Sequence, residues 1–222
     1  MYEYETELIK KGIKYIGGTD EAGRGPLIGP VVAACVVLPL NYENKEINDS
    51  KKLTEKKREE LYDTIINDAL AVGIGIVDAD TIDKINIYEA SRLAMIKAYQ
   101  EANKKIKIEH LLTDAMPIDL EIPVTKIIKG DAKSITIAAS SIIAKVTRDR
   151  MLIELDKKYP MYGFKNHKGY PTKKHIEAMH KYGLIEGYRK SYGPVKEMIE
   201  GVKWKTYLFH MLQILMELVL LY

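Results

Sequence analysis

The sequence predicts an α/β fold: a mixed five-stranded sheet flanked by helices, with a small C-terminal helical extension. Three observations carry that expectation. Apolar runs of strand length alternate with helix-periodic stretches in the order β-β-helix-β-helix-β-β-helix. One run, 31–38, is unbroken rather than alternating, which is the pattern of a strand covered on both faces. The length of 222 residues suits one or two domains, and 46% hydrophobic against 29% charged residues excludes a disordered or collagen-like chain.

Taken in order, a first strand is expected over 13–19, running straight into Asp20. A loop of turn formers follows (Gly23, Gly25, Pro26, Gly29, Pro30), and then the apolar run 31–38. That run holds the lone cysteine, Cys35, which has no internal disulfide partner and reads as a small buried hydrophobe. Thr54 before Glu55 marks a helix start, with Leu61, Tyr62, Ile65, Ile66 and Ala69 on one face. A third strand is expected over 70–77, a helix over 88–103, and short strands over 108–113 and 123–128. The clearest helix starts at Ser134. Ile135, Ala138, Ala139, Ile142, Ile143 and Val146 fall on one apolar face, while Ser134, Ser141, Lys145 and Arg148 share another. A last helix is expected from about 171 to 182.

The net charge of +3 hides a lopsided distribution. Residues 1–125 hold 16 Lys/Arg against 22 Asp/Glu, and residues 126–205 hold 18 against 8. A basic second half suits a polyanionic partner. The N-terminus lacks the apolar core of a secretory signal. The apolar segment 207–222, interrupted by His210, Gln213 and Glu217, is shorter than the ~20 residues that span a bilayer. A cytoplasmic protein without membrane contact is expected.

Acidic residues follow three of the strands: Asp20 and Glu21 after the first, Asp114 after 108–113, and Asp131 past 123–128. Ligand sites of open α/β sheets lie beyond the carboxyl ends of strands, so these side chains can converge. Carboxylates brought that close repel and stay ionised only around a cation, and an all-oxygen set favours Mg²⁺ or Mn²⁺ over Zn²⁺. Each acid alone reads better as a helix cap or turn former, and only the four together shift the balance toward a cation site. His167, His175 and His180 have spacings that fit no zinc pattern, so surface or basic-patch roles are expected. Asp78-Ala79-Asp80 lacks the third acid and turn glycine of a calcium loop, and Gly73-Ile74-Gly75 lacks the third glycine of a nucleotide fingerprint.

The heptapeptide Asp20-Glu21-Ala22-Gly23-Arg24-Gly25-Pro26 resembles the first signature of type 2 ribonuclease H (ribonuclease HII). The resemblance continues through Pro30-Val31-Val32-Ala33-Ala34, Asp49-Ser50-Lys51-Lys52-Leu53-Thr54, the segment 140–149 and His167-Lys168-Gly169-Tyr170-Pro171-Thr172, covering about 13–194. It implies a ribonuclease H-like sheet and an endoribonuclease that cuts the RNA strand of RNA–DNA hybrids. It also implies cleavage 5′ of single ribonucleotides in duplex DNA, by two-metal hydrolysis that leaves 5′-phosphate and 3′-hydroxyl ends. Asp20, Glu21 and Asp114 match the family's metal-binding carboxylates, and Asp131 matches its fourth catalytic acid. Gly23, Arg24 and Gly25 match the turn whose backbone amides and carbonyls read the ribose 2′-hydroxyl. Tyr170 matches the tyrosine that packs on the next sugar. Ser50, Lys51, Ser141, Lys145 and Arg148 are candidate phosphate contacts, with solvated or capping roles as the alternative.

On that resemblance the chain divides into a catalytic domain over 1–158, a basic helical region over 159–206 that completes the substrate groove, and an apolar tail over 207–222. The partners implied are an RNA–DNA hybrid or ribonucleotide-containing duplex DNA, with Mg²⁺ or Mn²⁺ as cofactor and no obligatory protein partner. Two features depart from the family: Ser140 replaces a usual alanine, and Trp204 and the tail match nothing in it. The tail reads as a docked amphipathic helix; Gln213 and Met216 are similar to a sliding-clamp peptide but lack its aromatic anchors. A non-catalytic hybrid-binding module of the same fold is the alternative. The related type 3 enzyme carries an extra N-terminal domain; with 19 residues before Asp20, that enzyme is not the expectation.

Overall fold

The computed structural model describes residues 1–201, so the expectations placed on Trp204 and on 207–222 lie outside the described residues. Helix α1 (Glu3–Lys10) precedes strands β1 (Ile16–Ala22) and β2 (Val31–Val37). Then come α2 (Glu55–Asp68), β3 (Ala71–Val77), α3 (Ala79–Asn103), β4 (His110–Asp114), β5 (Val124–Ile127) and α4 (Ile135–Lys158). Helices α5 (Phe164–His167) and α6 (Lys173–Tyr182) and a helical stretch over 193–201 follow. The strands form one mixed sheet in the order β3-β2-β1-β4-β5. β1 and β3 run antiparallel to β2, whereas β1, β4 and β5 are mutually parallel.

β2 accounts for its own unbroken sequence. Val31, Ala33, Cys35 and Val37 face α3, packing with Ala90, Ala94, Met95 and Ala98. Ala34 and Val36 face the other layer, with Ile135, Ala138 and Ile142 of α4 and Leu61 and Ile65 of α2. A strand between two helix layers has no solvent face on which a polar residue could sit. Cys35 lies inside this core, and burial pushes its thiol up to about 12, which makes it unreactive. Gly73 and Gly75 of β3 serve the same packing, because a Cβ at either would overlap the Ala98 or Ala94 carbonyl of α3.

Three element expectations need correction. Asp20 and Glu21 lie inside β1 rather than beyond its end. The third helix begins at Ala79, not at 88: Asp78 accepts the Thr81 amide at 2.7 Å and caps it. The helix breaks at Asn86, where φ is 66°. Asn86 Oδ1 then accepts the amides of Tyr88 and Glu89 at 2.9 and 3.1 Å, a second cap at the point where the period becomes legible. On α2, Ile66 is exposed and the buried stripe is Leu61 and Ile65. The apolar face of α4 is buried along its full expected length, with Ser134 as N-cap accepting the Ile137 amide at 3.2 Å.

Past α4 the chain folds back onto the loop between β1 and β2. Leu27 and Ile28 join Leu152, Tyr162, Phe164 and Tyr188 in an apolar cluster of their own. Leu27 donates to the Gly169 carbonyl, Gly29 to that of Gly187, and the Arg189 amide to Leu27. The glycine-rich loop is thus clamped between the sheet and the C-terminal region. Among the described residues no helix is long and apolar enough to cross a membrane.

Candidate active site

The parallel pairing of β1 with β4 sets Thr19 opposite Thr113, so the next residue on each strand is an aspartate, Asp20 and Asp114. The turn after β5 delivers the third. Lys129 takes a left-handed φ of 57°, and the Gly130 amide donates to Asp114 Oδ1 at 2.7 Å, which fixes Asp131 beside the strand ends. Asp20, Asp114 and Asp131 each offer a carboxylate oxygen, all within 4.8 Å of one another. Residues 94 and 17 positions apart in sequence therefore meet at the carboxyl ends of the parallel strands. Glu21 stands just outside this trio, paired with Arg24 at 3.3 Å.

The electrostatics are those of an anionic site that Arg24 and Lys51 offset only in part. Burial lifts the Asp20 carboxyl well above its usual range, and the charges of Glu21, Asp114 and Asp131 push the same way against one hydrogen bond from the Glu21 amide. Burial also raises Glu21, which Arg24 opposes. Asp114 is raised by burial and by Asp131, with the Gly130 amide opposing. Lys51 reaches Asp131 at 3.4 Å from an exposed position. Burial lowers its ammonium, yet Asp131, Asp20 and Asp49 outweigh this and hold it above the usual lysine value. Crowded carboxylate oxygens that disfavour one another's charge, with no Cys or His among them, fit a hard divalent cation.

Immediately after β1 comes the Gly23-Arg24-Gly25 turn, where Gly23 has φ +98°. Its conformation is set from beneath by Arg189, a fully buried residue that sequence reading missed. The Arg189 guanidinium donates to the carbonyls of Gly23 at 2.6 Å, Arg24 at 2.9 Å and Gly29 at 2.9 Å. Tyr192 Oη donates to the Arg24 carbonyl as well. The peptide bonds of the turn are trans, so carbonyls turned inward at Gly23 and Arg24 point the amides of Arg24 and Gly25 the opposite way, off the Arg189 side. Of the backbone groups expected to read a ribose, these two amides are the ones left facing away from the support. The signal for Arg189 in sequence was only a basic residue among tyrosines; its role depends on a fold-back that no local pattern shows.

Arg148 belongs to the same support. It is 1% exposed and donates to the carbonyls of Pro30 at 3.2 Å, Lys168 at 3.1 Å and Ile28 at 3.2 Å. The expected phosphate contact gives way to this internal role, because no face of the guanidinium is open. Ser141 is buried too, its hydroxyl donating to the Ala138 carbonyl at 2.9 Å. Ser50 is buried, and its carbonyl accepts from Arg58 at 3.0 Å. Lys51 is exposed, whereas Lys145 is half-buried; Lys145 pairs with Asp149 at 2.8 Å, and its ammonium stands 6.0 Å from the centre of the Tyr170 ring. Ser140 donates to the Gly18 carbonyl of β1 at 2.7 Å, so its extra hydroxyl is satisfied within the core.

Tyr170 is 42% exposed, and its ring lies 3.3 Å from where a Cβ on Gly25 would stand. The aromatic and the glycine turn, far apart in sequence, therefore share one surface. Its carbonyl is held by His175 Nδ1 at 2.9 Å, while His175 Nε2 meets Tyr188 Oη at 2.8 Å. His175 is fully buried and stacks on His167 at 4.4 Å, which corrects the surface role expected for it. Burial pulls its imidazole down to about 4. With the folded value below the unfolded one, its stabilising contribution is complete above about pH 6.5 and is lost as pH falls through 4. About 2 kcal/mol of that loss is in place by pH 5. The stability gap between the wild type and His175→Gln in urea unfolding should therefore shrink by about that amount from pH 7 to pH 5. A gap independent of pH would refute a neutral buried imidazole.

Comparison with known proteins points the same way as this geometry. The family model described as Ribonuclease HII matches residues 17–193. Proteins named Ribonuclease HII from Bacillus mycoides (strain KBAB4) and Bacillus cytotoxicus are each 56% identical to this chain, over 200 and 201 residues. Those alignments cover 90% of this chain and 77% of each relative. Among solved structures, ribonuclease H2 from Pyrococcus horikoshii OT3 superposes with a TM-score of 0.71 at 28% identity, over 85% of this chain and 99% of that one. Bst-RNase HIII in complex with Mn²⁺ shares the fold, with a TM-score of 0.68 at 16% identity over 84% of this chain and 70% of that one. The match runs from the strand that holds Asp20 to the turn after Arg189, and on that ground the chain belongs to the ribonuclease HII family, a family of metal-dependent endoribonucleases.

Proposed function

We propose that the protein hydrolyses the RNA strand of RNA–DNA hybrids and cuts on the 5′ side of single ribonucleotides embedded in duplex DNA, leaving 5′-phosphate and 3′-hydroxyl ends. The observation that carries this reading is the continuity of the acidic trio with the glycine turn. Asp20 and Glu21 lie in the last residues of β1, which leads into Gly23-Arg24-Gly25, and Tyr170 packs beside Gly25. A ribose held at the turn places its backbone phosphate near the carboxylates.

Asp20, Asp114 and Asp131 would hold Mg²⁺ or Mn²⁺, with Glu21 alongside. When bound, such ions would supply Lewis-acid chemistry, activation of water and charge neutralisation at the leaving oxygen. The remaining work falls to the chain itself. The outward amides of Arg24 and Gly25 donate to the 2′-hydroxyl, the atom that separates RNA from DNA at a given site. Tyr170 offers a flat face to the next sugar, and a 2′-hydroxyl there would press on the ring. Lys51 and Lys145 flank the site as phosphate contacts, and residues 159–201 complete the groove.

Side-by-side digestion of a continuous RNA/DNA hybrid and a duplex with one ribonucleotide, each with Mg²⁺ and with Mn²⁺, tests the proposal. Cleavage of both substrates, with a single cut 5′ of the lone ribonucleotide, is expected. Cleavage of the continuous hybrid alone would refute the junction reading. Binding without any product in either metal would refute the assignment of the carboxylates.

A further inference from the structure

Glu5 lies in α1, outside the residues matched by the family model. It is a buried carboxylate, and nothing in the reaction as described uses it. Its Oε1 accepts three hydrogen bonds: from Ser134 Oγ at 2.6 Å, from the Thr136 amide at 3.1 Å and from Thr136 Oγ1 at 2.9 Å. Its Oε2 is buried with no hydrogen-bond partner among the described residues. A buried carboxylate that leaves one oxygen unused is costly, so its retention calls for a reason.

The reason lies in what Ser134 holds. Ser134 is the N-cap of α4, and its hydroxyl accepts the Ile137 amide while donating to Glu5. Its own amide donates to the Gly130 carbonyl at 2.8 Å. The Gly130 amide in turn donates to Asp114 Oδ1 at 2.7 Å. The turn that carries Asp131 is therefore tied at one end to a metal-site aspartate and at the other to Glu5. Tyr2 adds a backbone bridge to Ser134 from the same segment. A negative charge at the first turn of a 24-residue helix is also favourably placed against its dipole.

We propose that Glu5 is a positioning residue for the metal site: it locks the N-terminus of α4 and, through Ser134 and Gly130, the placement of Asp131 and Asp114. This rests on the reading of those acids as metal ligands. Outer groups that orient ligands change metal affinity by about 10–100-fold when removed, and Glu5 acts one step further out. Glu5→Ala should weaken Mn²⁺ binding, measured by calorimetry on the otherwise intact protein, by about 3–10-fold. Amide exchange of the metal-free protein should speed up across 129–134, beyond any change in α1 itself. The preference for a lone ribonucleotide over all-DNA duplex should hold, because the Gly23-Arg24-Gly25 turn is untouched. Glu5→Gln keeps one acceptor and the side-chain shape, so it remains folded and should shift both readouts in the same direction by less. Faster exchange confined to 1–15, or Mn²⁺ affinity within twofold of wild type in folded Glu5→Ala protein, would reduce Glu5 to a stability element and overturn the proposal. An Asp20→Asn protein that binds Mn²⁺ as tightly as wild type would instead refute the ligand reading, which the exchange measurement does not depend on.

Discussion

Asp20→Asn is expected to lower strand cleavage by at least about 10³-fold, equivalent to about 4 kcal/mol of barrier, while hybrid binding stays within a few-fold of wild type. The amide keeps the shape of the carboxyl and removes the charge that a divalent ion needs. The proposed phosphate and ribose contacts lie on other residues, so affinity for the nucleic acid is expected not to depend on it. The same change should make the metal-free protein more stable. Asp20 is buried against Glu21, Asp114 and Asp131, which disfavour its charge, so neutralising it relieves repulsion the fold otherwise sustains. A gain of about 1–2 kcal/mol is the usual size of such a stabilising change. Single-turnover cleavage, a binding isotherm and denaturant unfolding of one preparation check all three expectations. Wild-type cleavage in the variant, or a fall in metal-free stability, would contradict this account of the site.

Gly23→Ala should damage substrate choice rather than metal binding. Gly23 has φ +98°, a conformation that residues with a Cβ rarely adopt, and an added Cβ would overlap the Arg148 guanidinium. Arg148 cannot withdraw without giving up its bonds to the Pro30, Lys168 and Ile28 carbonyls. The turn must then move and carry the amides of Arg24 and Gly25 out of register with a 2′-hydroxyl. A loss of about 10²-fold in kcat/KM on the one-ribonucleotide duplex follows from roughly 3 kcal/mol of lost alignment. Mn²⁺ affinity should remain within a few-fold, since Asp20, Asp114 and Asp131 are held by β1, β4 and the turn at Gly130. Equal losses in metal binding and in cleavage would show instead that the turn and the acids form one structural unit.

The apolar runs, the cap at Ser134 and the period of α4 were legible because each is written in neighbouring residues. The early start of α3 escaped notice because its first turns are only weakly periodic and its restart depends on Asn86 adopting a left-handed backbone. His175 looked like a surface residue because its spacing fits no metal pattern; only the packing of α6 against Tyr188 encloses it. Arg148 shares a helix face with Lys145 and so read as a phosphate contact. The loop between β1 and β2, folded over it, makes it a support instead.

By itself the sequence determined the α/β architecture, the buried central strands, the acids available for a cation and the family they resemble. These follow from side-chain polarity, from strand and helix periods, and from motifs a few residues long. Tertiary structure alone decided that Asp20 and Asp114 stand side by side, because parallel register is set by pairing across 94 residues of chain. It alone showed Arg189 beneath the glycine turn and Glu5 beneath the turn of Asp131. A buried polar group finds its partner through whichever segment closes over it, and that closure is a property of the whole fold.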